Sequence, residues 1–319
     1  MGYRTAHLDW FHGLPVFAFP CEGDGPREAL PSPESVAWRF GRTDGDGDIT
    51  FEQQWQRFLD SVPLHKVRAM VIGRWWQEYE DVGIDAVIES LCAARDRLTG
   101  LRALFLADVL SEEFEISWIR LGDLTPLLKA FPLLEKLGVR GGEGLVLEPV
   151  HHMALRELRF ESGGLPAAPV RALGACEFPA LDHLELWLGT SWYGGDTAIE
   201  DIAPLLAPGV RMPSLRHLGL QNSDIQDEIA AAVAGASVVP QLDSLALSMG
   251  ALSDDGAAAL LGGQPLTHLR TLDLHHHFLS APMTQRVRFA LEPHGVRVDL
   301  RRGRAAAERS EARYVAVGE

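Results

Sequence analysis

A run of three histidines, His275-His276-His277, is the part of this 319-residue chain whose residue types best suit metal binding. If the run lies on a β-strand, His275 and His277 project from one face, and Asp273 projects from the same face. Two imidazoles and a carboxylate are ligands that Zn²⁺ and related ions prefer. A polar strand surface without a metal explains the same residues, and we expect no metal and no cofactor.

Aromatic and acidic side chains are concentrated in three long segments, 73–83, 107–122 and 187–196. Exposed aromatic residues anchor many interaction surfaces, so these segments predict a binding rim. The residues that we expect to bind a partner there are Trp75, Trp76, Tyr79, Asp108, Glu113, Trp187, Trp192 and Tyr193. Packing beneath the segments is the alternative, and Trp118, between Ile116 and Ile119, is the aromatic residue that we expect to be buried.

The elements that position these residues follow from a recurring phrase, L-x-x-L-x-L. Clear copies begin at Leu101, Leu134, Leu155, Leu181, Leu215, Leu242 and Leu269. With weaker copies included, the phrase returns about every 29 residues between residues 35 and 300. L-x-L alternation predicts a short strand with one apolar face, and helix-like stretches that often begin with Asp or Pro lie between the copies. Strands and helices that alternate in this way predict parallel strands.

The polar positions within the phrase distinguish two arrangements of these units. A sheet covered by helices on both faces is the alternative to a solenoid, and its strands are apolar on both faces. Here the x positions include Lys136, Glu157, Arg159, His183 and Glu185. One face of the sheet is therefore predicted to be exposed to solvent, which favours an open, curved solenoid.

One column of residues, a single step beyond each phrase, predicts a recognition surface on that solvent-exposed face. Arg140, Glu161 and Trp187 come from consecutive repeats, and Gln221 and His275 continue the column. A cation, an anion and an indole side by side suit a polar or zwitterionic ligand. A solvated ladder in which Arg140 only offsets Glu161 is the alternative.

The acids of segment 107–122 and the histidine run do not form one catalytic site. Six strands of the pattern separate them, which is nearly 30 Å at ordinary strand spacing. We therefore expect no enzymatic activity. The alternative is a metal-binding protein or a hydrolase-type enzyme that uses either Asp108, Glu113 and Glu115 or the His275–His277 cluster.

The repeated phrase resembles the leucine-rich-repeat family, in its longer, ribonuclease-inhibitor-like class. The resemblance implies an α/β horseshoe with parallel strands on the concave face and helices on the convex face, and a non-catalytic role in binding a protein, a peptide or a small polar ligand. The stretches ESGGL, LWLGT and YGGD and the HHH strand resemble an uncharacterised bacterial leucine-rich-repeat family encoded beside radical-SAM, ATP-grasp and sulfatase-like enzymes. That likeness implies an accessory role to modifying enzymes.

The pattern divides the chain into an N-terminal cap (1–34), a repeat domain (35–300) and a tail (301–319) whose end we expect to dock as a strand. A formal net charge of −15 argues against nucleic acid and anionic membranes as partners. Three separated cysteines form no disulfide framework, and no signal peptide is recognisable. We therefore expect a cytoplasmic protein.

Overall fold

One open β-sheet organises the chain. The computed structural model describes residues 6–20, 30–41, 50–76, 82–207, 209–302 and 312–318. In these ranges the sheet has twelve strands in strict sequence order. The strands are β1 (Trp10–Phe11), β2 (Leu14–Ala18), β3 (Ala37–Phe40), β4 (Ala69–Ile72), β5 (Ala103–Leu106), β6 (Lys136–Arg140), β7 (Glu157–Glu161), β8 (His183–Gly189), β9 (His217–Ser223), β10 (Ser244–Ala246), β11 (Thr271–Asp273) and β12 (Arg297–Asp299). Strands β1 and β2 pair antiparallel, and all later neighbours pair in parallel.

A helix follows each strand from β3 to β11 except β6. The helices are α1 (Phe51–Ser61), α2 (Asp85–Ala93), α3 (Thr125–Ala130), α4 (Ala167–Ala175), α5 (Ile199–Leu206), α6 (Gln226–Ala234), α7 (Asp254–Gly262) and α8 (Ala281–Leu291). Side chains of Thr50, Ser253 and Ser280 accept backbone N–H groups at the starts of α1, α7 and α8, which satisfies donors that a helix leaves unpaired.

The leucines of the repeated phrase face the helices. Leu104, Leu137 and Leu184 are buried in a single core cluster that also contains the apolar residues of all eight helices described. The helices therefore lie on one face of the sheet, and we refer to the opposite face as the helix-free face. This is an open α/β repeat, consistent with a solenoid, and not a sheet covered by helices on both sides.

Residues at equivalent positions, in or just beyond the carboxyl ends of β9 to β11, have the left-handed conformation. Asn222, Met249 and His276 have φ values of 57°, 68° and 54°. Asn and His tolerate this region better than most residues, whereas Met does not. The left-handed residue ends the alternation of side chains, so that residues beyond it no longer follow the faces of the strand.

The N-terminal part of the chain covers the helix-free face of the first strands. Phe11 packs edge-on against Phe105, with ring centroids 6.0 Å apart, in a second apolar cluster with Ala37, Ala69 and Val71. These small residues leave room for the covering segment. At the other end of the sheet, residues 312–318 lie along the carboxyl ends of β8 to β11. Among the described residues, no helix has the length and apolar character needed to cross a membrane.

Candidate functional site

The helix-free face is accessible to solvent beyond the part that the N-terminal segment covers. The exposed or half-buried polar side chains there, which we call the polar window, are Lys136, Glu157, Arg159, His183, Glu185 and His217. They project from β6 to β9 at alternate positions, and the intervening leucines face the core. The period-two alternation of these strands therefore produces the surface.

Opposite charges alternate across the polar window. Lys136 Nζ lies 2.7 Å from Glu157 Oε1 on the next strand. Arg159 Nη2 lies 3.4 Å from Glu185 Oε1, and Arg159 Nε lies 2.7 Å from Glu161 Oε1. Burial opposes the charge on Arg159, but the surrounding carboxylates outweigh it and raise its pKa. The window thus offers fixed charges of both signs.

Two histidines and a carboxylate meet at the centre of the window. His183 and His217 are direct partners on β8 and β9, and their rings stack with centroids 3.9 Å apart. Burial and the adjacent His183 lower the pKa of His217 to about 4. Although burial opposes its charge, Glu185 has its pKa lowered to about 2 by the hydrogen bond from His183 and by Arg159.

His217 Nε2 is buried and has no hydrogen-bond partner among the described residues. Its other nitrogen, Nδ1, lies 3.0 Å from Ser244 Oγ. One ligand atom each from His183, Glu185 and His217 lies within 4.8 Å of the others. A divalent ion with bonds of about 2.1 Å needs its ligand atoms about 3.4 Å apart. His183 Nε2 and Glu185 Oε2 are 3.4 Å apart, which matches this spacing.

A hollow of about 330 Å³ adjoins the polar window at its N-terminal end. Trp10 borders it and is 66% exposed. Lys136, Glu157 and Arg159 line the strand side of the hollow, and His12 lines the side of the N-terminal segment. An exposed indole beside fixed charges can stack on a ligand while the charges orient it.

The predicted recognition column is buried and not accessible. Arg140 Nη1 and Glu161 Oε2 form an ion pair of 3.0 Å in which both side chains are buried. Trp187 is buried and donates from Nε1 to Glu185 Oε1 at 3.0 Å. Gln221, also buried, donates to Ser248 Oγ at 2.7 Å. The expectation of an exposed column is wrong because these residues lie at the strand ends, where neighbouring loops and residues 312–318 pack.

The predicted rim acids hold the N-terminal segment. Asp108 is buried, pairs with Arg39 Nε at 3.2 Å and accepts the backbone N–H of Leu8 at 3.3 Å. Glu113 pairs with His7 at 3.2 Å and accepts the N–H of Leu110. Both carboxylates are therefore already occupied by partners within the chain.

The aromatic rim is only partly as expected. Trp75 and Trp76 are 8% and 5% exposed and pack against each other, so they cannot serve as exposed anchors. Trp192 is 90% exposed, and Tyr193 is half-buried against Gly318. The predicted Tyr79 lies outside the described residues.

The expectation that Trp118 is buried is also wrong, since it is 62% exposed. Ile116 is the buried residue of the 3-10 turn Ile116–Trp118. Because such a turn has three residues per turn, Trp118, two positions later, points in a different direction from Ile116, towards solvent.

The histidine run does not place His275 and His277 on one face. The strand ends at Asp273, before the run, and His276 is left-handed. His277 turns into the core, where its Nε2 donates to the carbonyl of Leu300 at 3.1 Å. His275 instead donates from Nδ1 to Asp273 at 2.8 Å. One ligand atom each from His275, Asp273 and Asp299 lies within 4.8 Å of the others, so the carboxylate of the next strand replaces His277 in this group.

The glycine-rich stretches ESGGL, LWLGT and YGGD meet at one point beside the sheet. Gly164 and Gly189 form an isolated antiparallel bridge, and the carbonyl of Tyr193 packs against Gly164. Gly189 has φ +72°, and a Cβ there would overlap the carbonyl of Gly163. These stretches therefore allow close backbone packing.

Comparison with known proteins gives a structural neighbour. No protein-family model matches the chain, and no curated protein matches it. A crystal structure of a protein from Bacteroides fragilis is similar, with a TM-score of 0.78 and 25% sequence identity. The match covers 89% of this chain and 78% of that chain. The likeness supports the open α/β repeat over most of the described residues.

The sequence analysis did not predict a binding site at the polar window, although it used the same residues as evidence for a solvent-exposed face. The signal was the charge at the x positions of the phrase. Trp10 gave no signal, because nothing local in its sequence shows that its segment crosses the helix-free face.

Proposed function

We propose that the chain is a non-catalytic, leucine-rich-repeat-like interaction protein whose concave, helix-free face binds a peptide segment of a partner protein. The binding site is the polar window together with Trp10. The observation that carries the proposal is an exposed tryptophan beside a hollow lined by fixed charges of both signs. A peptide main chain and its polar side chains offer donors and acceptors that match such a surface.

The repeat architecture supports this function over catalysis. A regular sheet displays side chains at fixed intervals, and repeat proteins use such extended surfaces for binding. The acids that an enzyme would need, Asp108 and Glu113, bind Arg39 and His7. An accessory role beside modifying enzymes, in a cytoplasmic setting, accords with the resemblance noted above and forms part of the proposal.

A capture experiment with matched variants tests the proposal. Untagged chain is immobilised, exposed to lysate of its native host, and a captured protein is identified and purified. We expect Trp10→Ala and Glu157→Lys each to weaken binding of that protein by about tenfold or more, as at central interface residues.

Phe289→Ala is the control, because Phe289 on α8 is 70% exposed on the helix side. Equal binding by Trp10→Ala, Glu157→Lys and wild type would exclude the polar window as the binding site.

A second candidate function is binding of a divalent transition metal by His183, Glu185 and His217. The unpartnered Nε2 of His217 favours it, since in the tautomer whose Nδ1 donates to Ser244 the buried Nε2 lone pair is available to a cation. The partner of Nδ1, Ser244, receives a hydrogen bond from Thr271 Oγ1 at 2.6 Å, as outer residues commonly orient a ligating histidine.

Calorimetric titration of chelator-treated, untagged chain with Zn²⁺ tests this candidate. We expect one equivalent of Zn²⁺ to bind to the wild-type chain, and we expect His217→Ala to abolish this binding. His151→Ala is the control, because His151 is exposed and pairs with Glu177 away from the window. Titration without stoichiometric binding would exclude the metal.

A further inference from the structure

Residues 312–318 occupy a groove at the carboxyl ends of β8 to β11. We call it the tail groove, and its walls are Ile116, Trp187, Asn222, Met249 and His276. The segment bends at Ala316 and belongs to no strand of the sheet. Its contacts therefore show how the groove binds a short segment that is not part of the sheet.

Asn222 recognises the main chain of the segment at one residue. Its Oδ1 accepts the N–H of Val317 at 2.9 Å, and its Nδ2 donates to the carbonyl of the same residue at 2.6 Å. A side-chain amide that pairs with both the N–H and the carbonyl of one residue recognises the backbone and not the side chain. The left-handed conformation at the end of β9 positions Asn222 for this contact.

The next two left-handed residues continue the same mode of recognition. The carbonyl of Met249 accepts the N–H of Ala316 at 2.7 Å. His276 Nε2 donates to the carbonyl of Tyr314 at 3.1 Å. Equivalent positions of three consecutive repeats thus bind main-chain groups of Tyr314, Ala316 and Val317.

Side-chain recognition of the segment uses one ion pair and two apolar contacts. Arg313 Nη1 lies 2.6 Å from Asp227 Oδ2 and donates to the carbonyl of Ala251 at 3.0 Å. Val317 is buried among Ile116, Trp187 and Met249, and it is the single fully buried residue of 312–318. The ring of Tyr314 packs edge-on against His276, with centroids 5.5 Å apart. One aliphatic anchor with main-chain hydrogen bonds is typical of grooves that bind extended peptides.

The segment does not fill the space around it. A hollow of about 660 Å³ lies between the segment and the exposed Trp192. The N–H and carbonyl of Val315 have no hydrogen-bond partner among the described residues. The site therefore has room for larger side chains than those that occupy it.

We propose that the tail groove is a binding site for a short peptide of another protein, and that the chain's own residues 312–318 occupy it until that peptide displaces them. The peptide needs an aliphatic residue for the Val317 position, an aromatic residue three positions earlier and a basic residue one position before that. A tethered segment competes at a high effective concentration, so the partner peptide must bind tightly enough to displace it. The proposal does not rest on ligand binding at the polar window, although Trp187 of the groove wall donates to Glu185 of the window.

A labelled peptide with the sequence of residues 312–319 is the probe, and fluorescence anisotropy reports its binding to the full chain. In Val317→Asp, a carboxylate would have to enter the apolar pocket, so the chain's own segment should leave the groove. We expect this variant to bind the probe at least about tenfold more tightly than wild type does. A probe with Asp at the Val317 position should not bind, whereas a probe with Lys at the Val315 position should.

Ala316→Pro provides a second way to free the groove, because it removes the N–H that binds Met249 and alters no residue of the walls. Thermal melting shows that each variant is folded. Folded Val317→Asp and Ala316→Pro chains that bind the probe no better than wild type would overturn the proposal. A wild-type dimer in sedimentation that the probe dissociates would assign the groove to a second copy, and would also overturn it.

Discussion

Asp108 and Arg39, 69 residues apart in the chain, form an ion pair of 3.2 Å in which both side chains are buried. The same carboxylate accepts the N–H of Leu8 and lies 3.4 Å from His7 Nδ1. The pair therefore connects β3, the end of β5 and the N-terminal segment. It explains how a segment outside the repeats is held on the helix-free face.

His7 should make the stability of the chain depend on pH. Hydrogen bonds to Asp108 and Glu113 raise its pKa from 6.5 to about 9, although burial and Arg39 oppose the charge. A histidine whose pKa is raised in the folded state stabilises that state fully below pH 6.5 and loses the contribution as the pH rises through 9. Urea unfolding between pH 6 and pH 9.5 should show this loss in wild type.

His7→Gln is the comparison for that experiment. The difference in unfolding free energy between wild type and His7→Gln should be largest at pH 6 and should shrink by pH 9.5. A difference that stays constant over this range would show that His7 is not protonated in the folded chain.

Glu161→Gln should destabilise the chain strongly, because it leaves Arg140 buried without a full opposite charge. Removal of one partner of a buried ion pair costs about 3–5 kcal/mol. Glu157→Gln is the matched control, since its pair with Lys136 is half-exposed and pairs of that kind are worth about 0–1 kcal/mol. Urea unfolding of both variants measures the difference, and equal losses would contradict the assignment.

Gly189→Ala should cost at least about 2 kcal/mol of unfolding free energy, since a side chain at φ +72° is strained and its Cβ overlaps Gly163. Gly235→Ala has no atom within 4 Å of the added Cβ and a negative φ of −111°, so we expect it to be neutral or slightly stabilising. Thermal melting of the two variants tests the contrast. A neutral Gly189→Ala would mean that the glycine-rich stretches do not pack as described.

Trp75→Ala and Trp118→Ala should differ in the direction opposite to the sequence-based expectation, which placed Trp75 at the surface and Trp118 in the interior. Trp75 packs against Trp76 and donates to the carbonyl of Val82 at 3.2 Å, so its loss should cost about 3–5 kcal/mol. The exposed Trp118 should change stability by less than about 0.5 kcal/mol. Chemical denaturation measures both values, and a large loss at Trp118 would contradict its position.

The parts of the fold that were predictable are those with local causes. Period-two alternation in the repeated phrase indicated strands with one buried face, and Leu104 and Leu184 do face the helices. The polar side of the same alternation gave the residues of the polar window. The element order follows because each strand pairs with its neighbour in the sequence.

The errors arose where residues distant in the sequence come together or where the backbone leaves the strand. Asp108 looked available because Arg39 and His7 lie far from it in the chain. His277 looked like a partner of His275 because no local signal shows that His276 adopts a positive φ. Burial of Trp187 depends in part on Val317, 130 positions later in the sequence, with which it shares a cluster.

The consecutive order of the strands has a consequence for how the chain reaches its native state. Every pairing in the sheet joins neighbours along the sequence, so structure can begin at any repeat and spread in both directions. The contacts of Leu8 with Asp108 and of Val317 with Asn222 close loops of about 100 residues. Closing loops of this length carries a large entropic cost, which delays the formation of these contacts. During refolding, the backbone amides of the two ends should therefore be the last to become protected from hydrogen exchange. During unfolding, they should be the first to lose that protection.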